Sequence, residues 1–548
     1  MNKAFLKRYN EIKEQMTENK ETNSTFLKLL LQLKDDLKEF LNTIEEENDL
    51  AYQILLAHIY YDIGRINANS DESTEAETYW QECIELIKMR DIKREAITPF
   101  IGSLLNLGII TVDNTKALTL LTDAEKAYKE YKKSRPNEDK DKLKDTTQID
   151  QFYNQITKNM ARVYQNLEIF NMSAKYHYLT MMLSLETKSY ISCDLAVQSA
   201  NLSSFYIKRK NFKEARNYLA AAEYLANEFK IKSKSNEVQR VEKTFAYLGW
   251  RWGKYCIALL SASKKHLEQE AENLISGIQN IVLESEMPFL YSELPLKSHK
   301  KKISAEYCTT SKDAKKVFLF AKRWLEMAKD FYKPSVDLVT YVDVMKDFAK
   351  LYDHMTFFDT DRRSQFQMQE MRIQYNKELV AKLNPKTHMA MSRECWYEAA
   401  MGYMRQLILK MRMIQENVDT PLRNHNDGNQ WTKCYRNHND LNQLTESAIE
   451  NFKKVVSSFR GESNYCLSDM TFDEKKMCMN AHIRLGLLYS KSMNPFQPSY
   501  IAKAGFYFKT FIEECSKDEE MRIEFKSDIE VAQGHLSSMS SSYSMLGY

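Results

Sequence analysis

The sequence predicts an all-α protein of stacked helical hairpins, and three observations carry that prediction. Turn formers are scarce: there are 13 glycines and 9 prolines in 548 residues, against average usage of roughly 7% and 5%. Sandwiches, barrels and propellers need a tight turn about every 8 to 12 residues, which so few turn formers cannot supply. Apolar residues recur at three- and four-residue spacing, as in DLAYQILLAHIYYDIG (49–64) and DAKKVFLFAKRWLEMAKDFY (313–332), the pattern of amphipathic helices. The prolines punctuate: Pro136, Pro288, Pro295, Pro334, Pro385, Pro421, Pro495 and Pro498 each fit a polar break or the first turn of a helix.

The hairpins repeat with a tetratricopeptide-like pattern, in which small residues let two helices approach and bulky ones fill the gap that remains. Ser203, Tyr206, Ala215, Leu219 and Ala222 fit it in register. Looser copies place Ala57 and Tyr60 with Ala76, Trp80 and Cys83, open hairpins at Gly108 with Thr111 and at Ala161 with Tyr164, and pair Gly486 and Tyr489 with Ala504, Phe508 and Phe511. Across a longer insert, Ala400 and Tyr403 match Ala448, Phe452 and Val455. Irregular loops are expected at 132–149, about 229–240, 284–312 and 417–442. The segment 241–283 reads as one or two long helices. The expected organisation is therefore an N-terminal array (1–240), a linker helix region (241–283), a C-terminal array (284–534) and a flexible Ser-rich tail (535–548).

Composition limits the function classes. The 43% hydrophobic content supports a large core, and a net charge of +3 gives no global field toward nucleic acid or anionic lipid. The N-terminus lacks the apolar stretch of a signal peptide and no 18-residue apolar run follows, so a soluble, intracellular protein is expected, without membrane insertion and without nucleic acid as a partner. Nine singly scattered cysteines read as free thiols. No dinucleotide, P-loop, zinc-protease or serine-elbow motif occurs, and neither enzymatic activity nor a cofactor is expected.

Three clusters nevertheless invite a chemical reading. Asp359 and Asp361, after Phe357 and Phe358, resemble the magnesium aspartates of all-helical diphosphate enzymes, but they lack an acidic partner motif and equally suit the cap of a helix. His425, Cys434 and His438 fall between two copies of RNHND without a fourth ligand or paired spacing. Lys297, Lys300, Lys301 and Lys302 surround His299 as a basic run on a solvated loop.

A stack of hairpins curves, so its first helices line a concave groove, the default site for a partner. Residues three and four apart share a helix face. That rule places Gln155, Lys158, Asn159, Arg162, Gln165 and Asn166 on the groove side of one repeat, and Ala200, Asn201, Ser204 and Lys208 on that of the next. The surface is polar, rich in amides and mildly basic. Hydrogen bonding to a folded helix or peptide suits it better than an oily anchor. A rival reading is an adaptor for short peptide tails of the chaperone co-factor type, held by Lys158, Asn159 and Arg162.

Four strings carry a resemblance: MARVYQNLEIFNMSAKYHYL (160–179), SANLSSFYIKRKNFKEARNYLAAA (199–222), RWGKYCIALL (251–260) and KDFAKLYDHMTFFDTDRRSQFQMQEMRIQYNKELVAKLNP (346–385). In order and spacing, over about 145–535, they resemble the KIF-binding protein family. The resemblance implies a right-handed α-solenoid of two tetratricopeptide-like halves joined by a linker helix. It implies a non-enzymatic, cytoplasmic, cytoskeleton-associated monomer that binds kinesin motor domains and keeps the motor off microtubules, with roles in axon growth and mitochondrial distribution. The family's motor contacts map here onto Asn159, Arg162, Ser184 and Asn201.

Overall fold

The computed structural model describes residues 3–17, 23–43, 50–70, 72–134, 143–186, 191–272, 288–418, 427–459, 470–490 and 498–545. Among them every regular element is a helix and no strand occurs. Compactness divides the chain into two units: Met1–Phe205 with Glu284–Ser292, and Tyr206–Leu283 with Glu293–Tyr548.

The first unit holds α1 (Lys3–Thr17), α2 (Asn23–Leu41), α3 (Leu50–Asn69), α4 (Ser73–Met89), α5 (Ile97–Ile110), α6 (Asn114–Lys133), α7 (Leu143–Asn166), α8 (Phe170–Glu186) and most of α9 (Ser192–Lys208). Consecutive helices pair, α3 with α4, α5 with α6 and α7 with α8, and the first helices also pack on one another, α3 on α5 and α5 on α7. The second unit runs from the end of α9 through α10 (Phe212–Lys232), α11 (Val238–Glu272), α12 (Lys297–Lys300), α13 (Ser311–Phe331), α14 (Leu338–Phe358), α15 (Arg362–Lys382) and α16 (Met389–Val418). It continues with α17 (Asp427–Ser458), α18 (Phe472–Ser490), α19 (Pro498–Ser516), α20 (Glu519–Glu524) and α21 (Lys526–Met545). Here α11 packs along α13, α14 on α15, α16 on α17 and α18 on α19.

The repeat positions are buried, and those of α16 and α17 form the seam between these two helices. Ser203, Tyr206, Ala215, Leu219 and Ala222 are all buried, as are Ala400, Tyr403, Ala448, Phe452 and Val455. In the α3–α4 hairpin the Cys83 thiol donates to the Ala57 carbonyl at 3.3 Å and Trp80 Nε1 donates to the Tyr61 carbonyl at 3.3 Å. A Cβ on Gly486 would lie 2.5 Å from the Phe508 ring, and one on Gly249 would lie 2.5 Å from the Trp324 carbonyl oxygen. Both are below van der Waals contact, so hydrogen at these positions sets how closely α18 meets α19 and α11 meets α13.

Helix ends are closed by side chains and by left-handed turns. Asp113, Asn211, Thr310, Asp337, Asp361 and Asp518 each accept from backbone N–H groups as N-caps. α4, α7 and α9 end on residues with positive φ, Asp91 (53°), Glu168 (58°) and Lys210 (59°). In each case the next amide reaches back five residues: Ile92 to Ile87 at 3.2 Å, Ile169 to Tyr164 at 2.9 Å and Asn211 to Tyr206 at 2.9 Å. This is the Schellman closure, made here without glycine.

Buried carboxylates tie neighbouring helices. Asp62 accepts from the Tyr9 hydroxyl at 2.6 Å and pairs with Lys13 at 3.0 Å and Arg65 at 3.3 Å. Glu125 accepts from Tyr176 at 2.9 Å and Tyr153 at 3.4 Å, joining α6, α7 and α8. Asp347 accepts from Trp250 Nε1 at 2.8 Å and pairs with Lys254 at 3.0 Å, fixing α11 on α14. A buried charge is tolerated only with such multiple partners, and those partners fix register.

The expected loops shorten. Residues 427–442 are helical in α17, where the polar RNHND repeats suggest a loop; 419–426 lie outside the described residues. The 132–149 segment loses residues to both α6 and α7, with 135–142 outside the described residues, and α11 is a single helix as far as Glu272. α21 carries the Ser-rich run to Met545.

Two substitutions test these seams. Gly249→Ala should lower stability by about 1–3 kcal/mol, because its methyl meets backbone and not a movable side chain. Lys210→Gly should raise stability by about 0.5–1 kcal/mol by relieving the left-handed penalty. Urea midpoints followed by circular dichroism check both signs.

Candidate partner-binding face

The first helices α3, α5 and α7 enclose a hollow of about 340 Å³ in the first unit. Its floor is aromatic, formed by buried Tyr61, Trp80 and Phe152, and its rim carries Arg65, Asn106 and Gln155. Burial pushes the Tyr61 hydroxyl up to about 12, so it stays a neutral phenol. Arg65 is held along the face by Asp62 and lies over the Tyr61 ring at 5.7 Å. The hollow offers amides and a guanidinium above an apolar base, a set suited to hydrogen bonding and ion pairing with a folded partner.

α7 extends this face because its buried residues Ile156, Met160 and Val163 commit the opposite stripe to the core. Gln155, Lys158, Arg162 and Gln165 are exposed and share one stripe. Arg162 Nη2 lies 3.5 Å from the Ile109 carbonyl, and Asn166 Nδ2 donates to Asn114 Oδ1 at 3.2 Å, so the end of α7 is aligned with the end of α5 and the start of α6. Asn159 is half-buried and its Nδ2 donates to the Gln155 carbonyl at 2.9 Å. On α9, Asn201 and Ser204 are half-buried and Lys208 is exposed, whereas Ala200 is fully buried. Asn201 and Ser204 belong to the first unit and Lys208 to the second.

Ser184 lies elsewhere. It is buried in the α7–α8 hairpin, where its hydroxyl donates to the Thr180 carbonyl at 2.8 Å and accepts from Asn154 Nδ2 at 3.3 Å. The rim residues Arg65 and Asn106 escaped the sequence reading. Asn106 stands two positions before Gly108 as Asn159 stands two before Ala161, so the same face rule applied to α5 finds it. Arg65 lies beyond the rule's span.

The other clusters resolve locally. Asp361 caps α15 by accepting from the Ser364 amide at 3.0 Å and the Arg363 amide at 3.3 Å, while Asp359 accepts from the Ser364 hydroxyl at 2.6 Å and the Asp361 amide at 2.9 Å. Both carboxylates therefore serve the α14–α15 corner. His425 and the Cys434 side chain lie outside the described residues; His438 sits on α17, with its Nδ1 3.0 Å from Asn442 Nδ2. Among the described residues no group of three or more His, Cys, Asp or Glu is placed to hold a metal, and no helix is long and apolar enough to cross a membrane. Lys302 of the basic run is paired with buried Glu223.

A family model described as KIF-1 binding protein C terminal matches residues 193–537. The chain belongs to the KIF-binding protein family. Among curated relatives named KIF-binding protein, that of Drosophila melanogaster is 29% identical over 92% of this chain and 89% of its own length. The Gallus gallus relative is 23% identical over 87% and 85%, and the Homo sapiens relative is 23% identical over 89% and 84%. The solved Cut9–Hcn1 hetero-tetramer of the APC/C aligns with 97% of this chain and 92% of its own at a TM-score of 0.26 and 11% identity, from which no fold relationship follows. The KIF-binding protein family model begins within α9, so the α3–α5–α7 face lies in the part matched by whole-length relatives alone.

Burial separates the face residues by consequence. Ser184→Asp should cost about 2 kcal/mol or more, since it buries a charge in the α7–α8 seam, whereas Lys158→Asp and Gln165→Asp should change stability by less than about 0.5 kcal/mol. Thermal melts of the three variants measure the contrast.

Proposed function

We propose that this chain is a non-enzymatic, cytoplasmic protein that binds kinesin motor domains and blocks their attachment to microtubules, so regulating kinesin-driven transport. Membership of the KIF-binding protein family supports the partner class. The observation that carries the mode of binding is the packing of α3, α5 and α7 side by side, with exposed Lys158, Arg162 and Gln165 continuing the amide-rich hollow. A face of amides and cations pairs with polar and charged side chains of a partner helix without a hydrophobic anchor. In this reading Lys158 and Arg162 meet carboxylates, while Asn159, Gln165, Asn201 and Ser204 bond helix ends and side-chain amides. Lys208 adds charge at the end of α9. Ser184 acts indirectly, by holding Asn154 and the α7–α8 hairpin in place. The protein works as a cytoskeleton-associated monomer.

The test is capture of purified kinesin motor domains by the wild-type chain and by a variant combining Arg162→Glu with Asn201→Asp. The variant should bind at least about tenfold more weakly with unchanged helicity and melting. Motor co-sedimentation with microtubules should fall as wild-type chain is added and recover with the variant. Equal capture by both proteins removes this face from the mechanism.

A further inference from the structure

A second concave surface lies in the first unit and uses none of the residues above. The turn between α4 and α5 carries Lys93 and Arg94. With Lys88 from the last turn of α4 and Lys126 from α6, these cations rim a hollow of about 500 Å³. Ile97, Phe100 and Tyr131, all buried, form its apolar wall.

Three features set this hollow apart from an ordinary solvated surface. The first is unspent charge. Elsewhere on α6, Lys129 is paired with Glu125 at 2.8 Å and Lys132 with Asp150 at 2.8 Å, but among the described residues Lys88, Lys93, Arg94 and Lys126 have no ion-pair partner. Four cations line this concavity against two carboxylates, Asp123 and Glu130, so the rim is net cationic and an anionic occupant offsets the remaining repulsion. The second is a fixed backbone. Asp91 is left-handed and Ile92, almost fully buried, bonds back to Ile87, so Lys93 and Arg94 leave a turn that packing has locked. The third is an apolar wall within reach of the cations, where a bulky side chain can be covered.

We propose that this hollow docks an acidic peptide segment of a partner protein. An aromatic side chain of the segment rests against Phe100 and Tyr131, and carboxylates on either side of it pair with Lys88, Lys93, Arg94 and Lys126. A peptide fits better than nucleic acid. Asp123 and Glu130 also stand at the rim; they can accept hydrogen bonds from peptide N–H groups, which a nucleic-acid backbone does not carry. The net charge of +3 supplies no extended field for a polyanion either.

The experiment is a fluorescence anisotropy titration of the full chain with a labelled Glu-Glu-Phe-Glu-Glu peptide. The controls are Gln-Gln-Phe-Gln-Gln, Glu-Glu-Ala-Glu-Glu and unlabelled oligouridine as a competitor. The acidic Phe peptide should bind saturably and weaken with added salt, and each control peptide should bind at least about fivefold more weakly. Lys93→Glu combined with Arg94→Glu should reduce affinity at least about tenfold, with unchanged helicity because both side chains are exposed. Capture of kinesin motor domains by this double variant should equal wild type, which separates this site from the α3–α5–α7 face. The proposal is overturned by absence of saturable binding, by equal affinity of the double variant, or by oligouridine displacing the peptide at lower concentration than unlabelled peptide does.

Discussion

Close approach of two helices at small residues is the constraint on which the rest of this structure depends. Ala57 sits beneath Cys83, Gly486 beneath Phe508 and Gly249 beneath the Trp324 carbonyl, and in each place the partner occupies the space a larger side chain would need. Dispersion and burial grow steeply as the gap closes, so each seam is both tight and particular in its register. Because the seam fixes the pair, it also fixes which stripe of each helix faces away. The exposed face of α7 is a by-product of committing Ile156, Met160 and Val163 to the core.

Polar groups inside the stack refine this arrangement. Asp62, Glu125 and Asp347 each bind groups from a neighbouring helix, and each would be costly if a register slip removed its partners. The left-handed turns at Asp91, Glu168 and Lys210 do related work for direction. They end α4, α7 and α9 abruptly and redirect the chain within a few residues. The chain thus builds sharp corners from ordinary residues, consistent with its few glycines.

The two concave surfaces of the first unit differ in chemistry. The α3–α5–α7 hollow is balanced, with amides around a guanidinium already held by Asp62. In the α4–α5–α6 hollow Lys88, Lys93, Arg94 and Lys126 form no ion pair among the described residues, and with Asp123 and Glu130 beside them the rim is net cationic. The first suits a folded, mixed-polarity surface, and the second suits an acidic segment. A solenoid separates such functions readily, because each surface is made by a few neighbouring helices and changes little when another is altered.

Much of this was legible in the sequence, and the limits are physical. Periodicity and the shortage of glycine and proline determined the all-helical class, and the spacing of small and bulky residues located the buried positions between Ser203 and Ala222 and the seam of Ala400–Val455. Helix-face geometry alone placed Lys158, Arg162 and Gln165 outside. It did not foresee that Ala200 is buried, nor did the family resemblance foresee that Ser184 is, since whether a small residue is covered depends on which helix lies over it. The end of the expected loop at 417–442 was misplaced because the amides and histidines of the RNHND repeats read as a polar break, though the backbone from Asp427 is helical. Only the tertiary structure decided that Arg65 and Asn106 share a hollow with Gln155, and that Lys93 and Arg94 converge with Lys88 and Lys126. These groups come from different helices, and their proximity is set by packing between hairpins, for which no local spacing in the chain is a record.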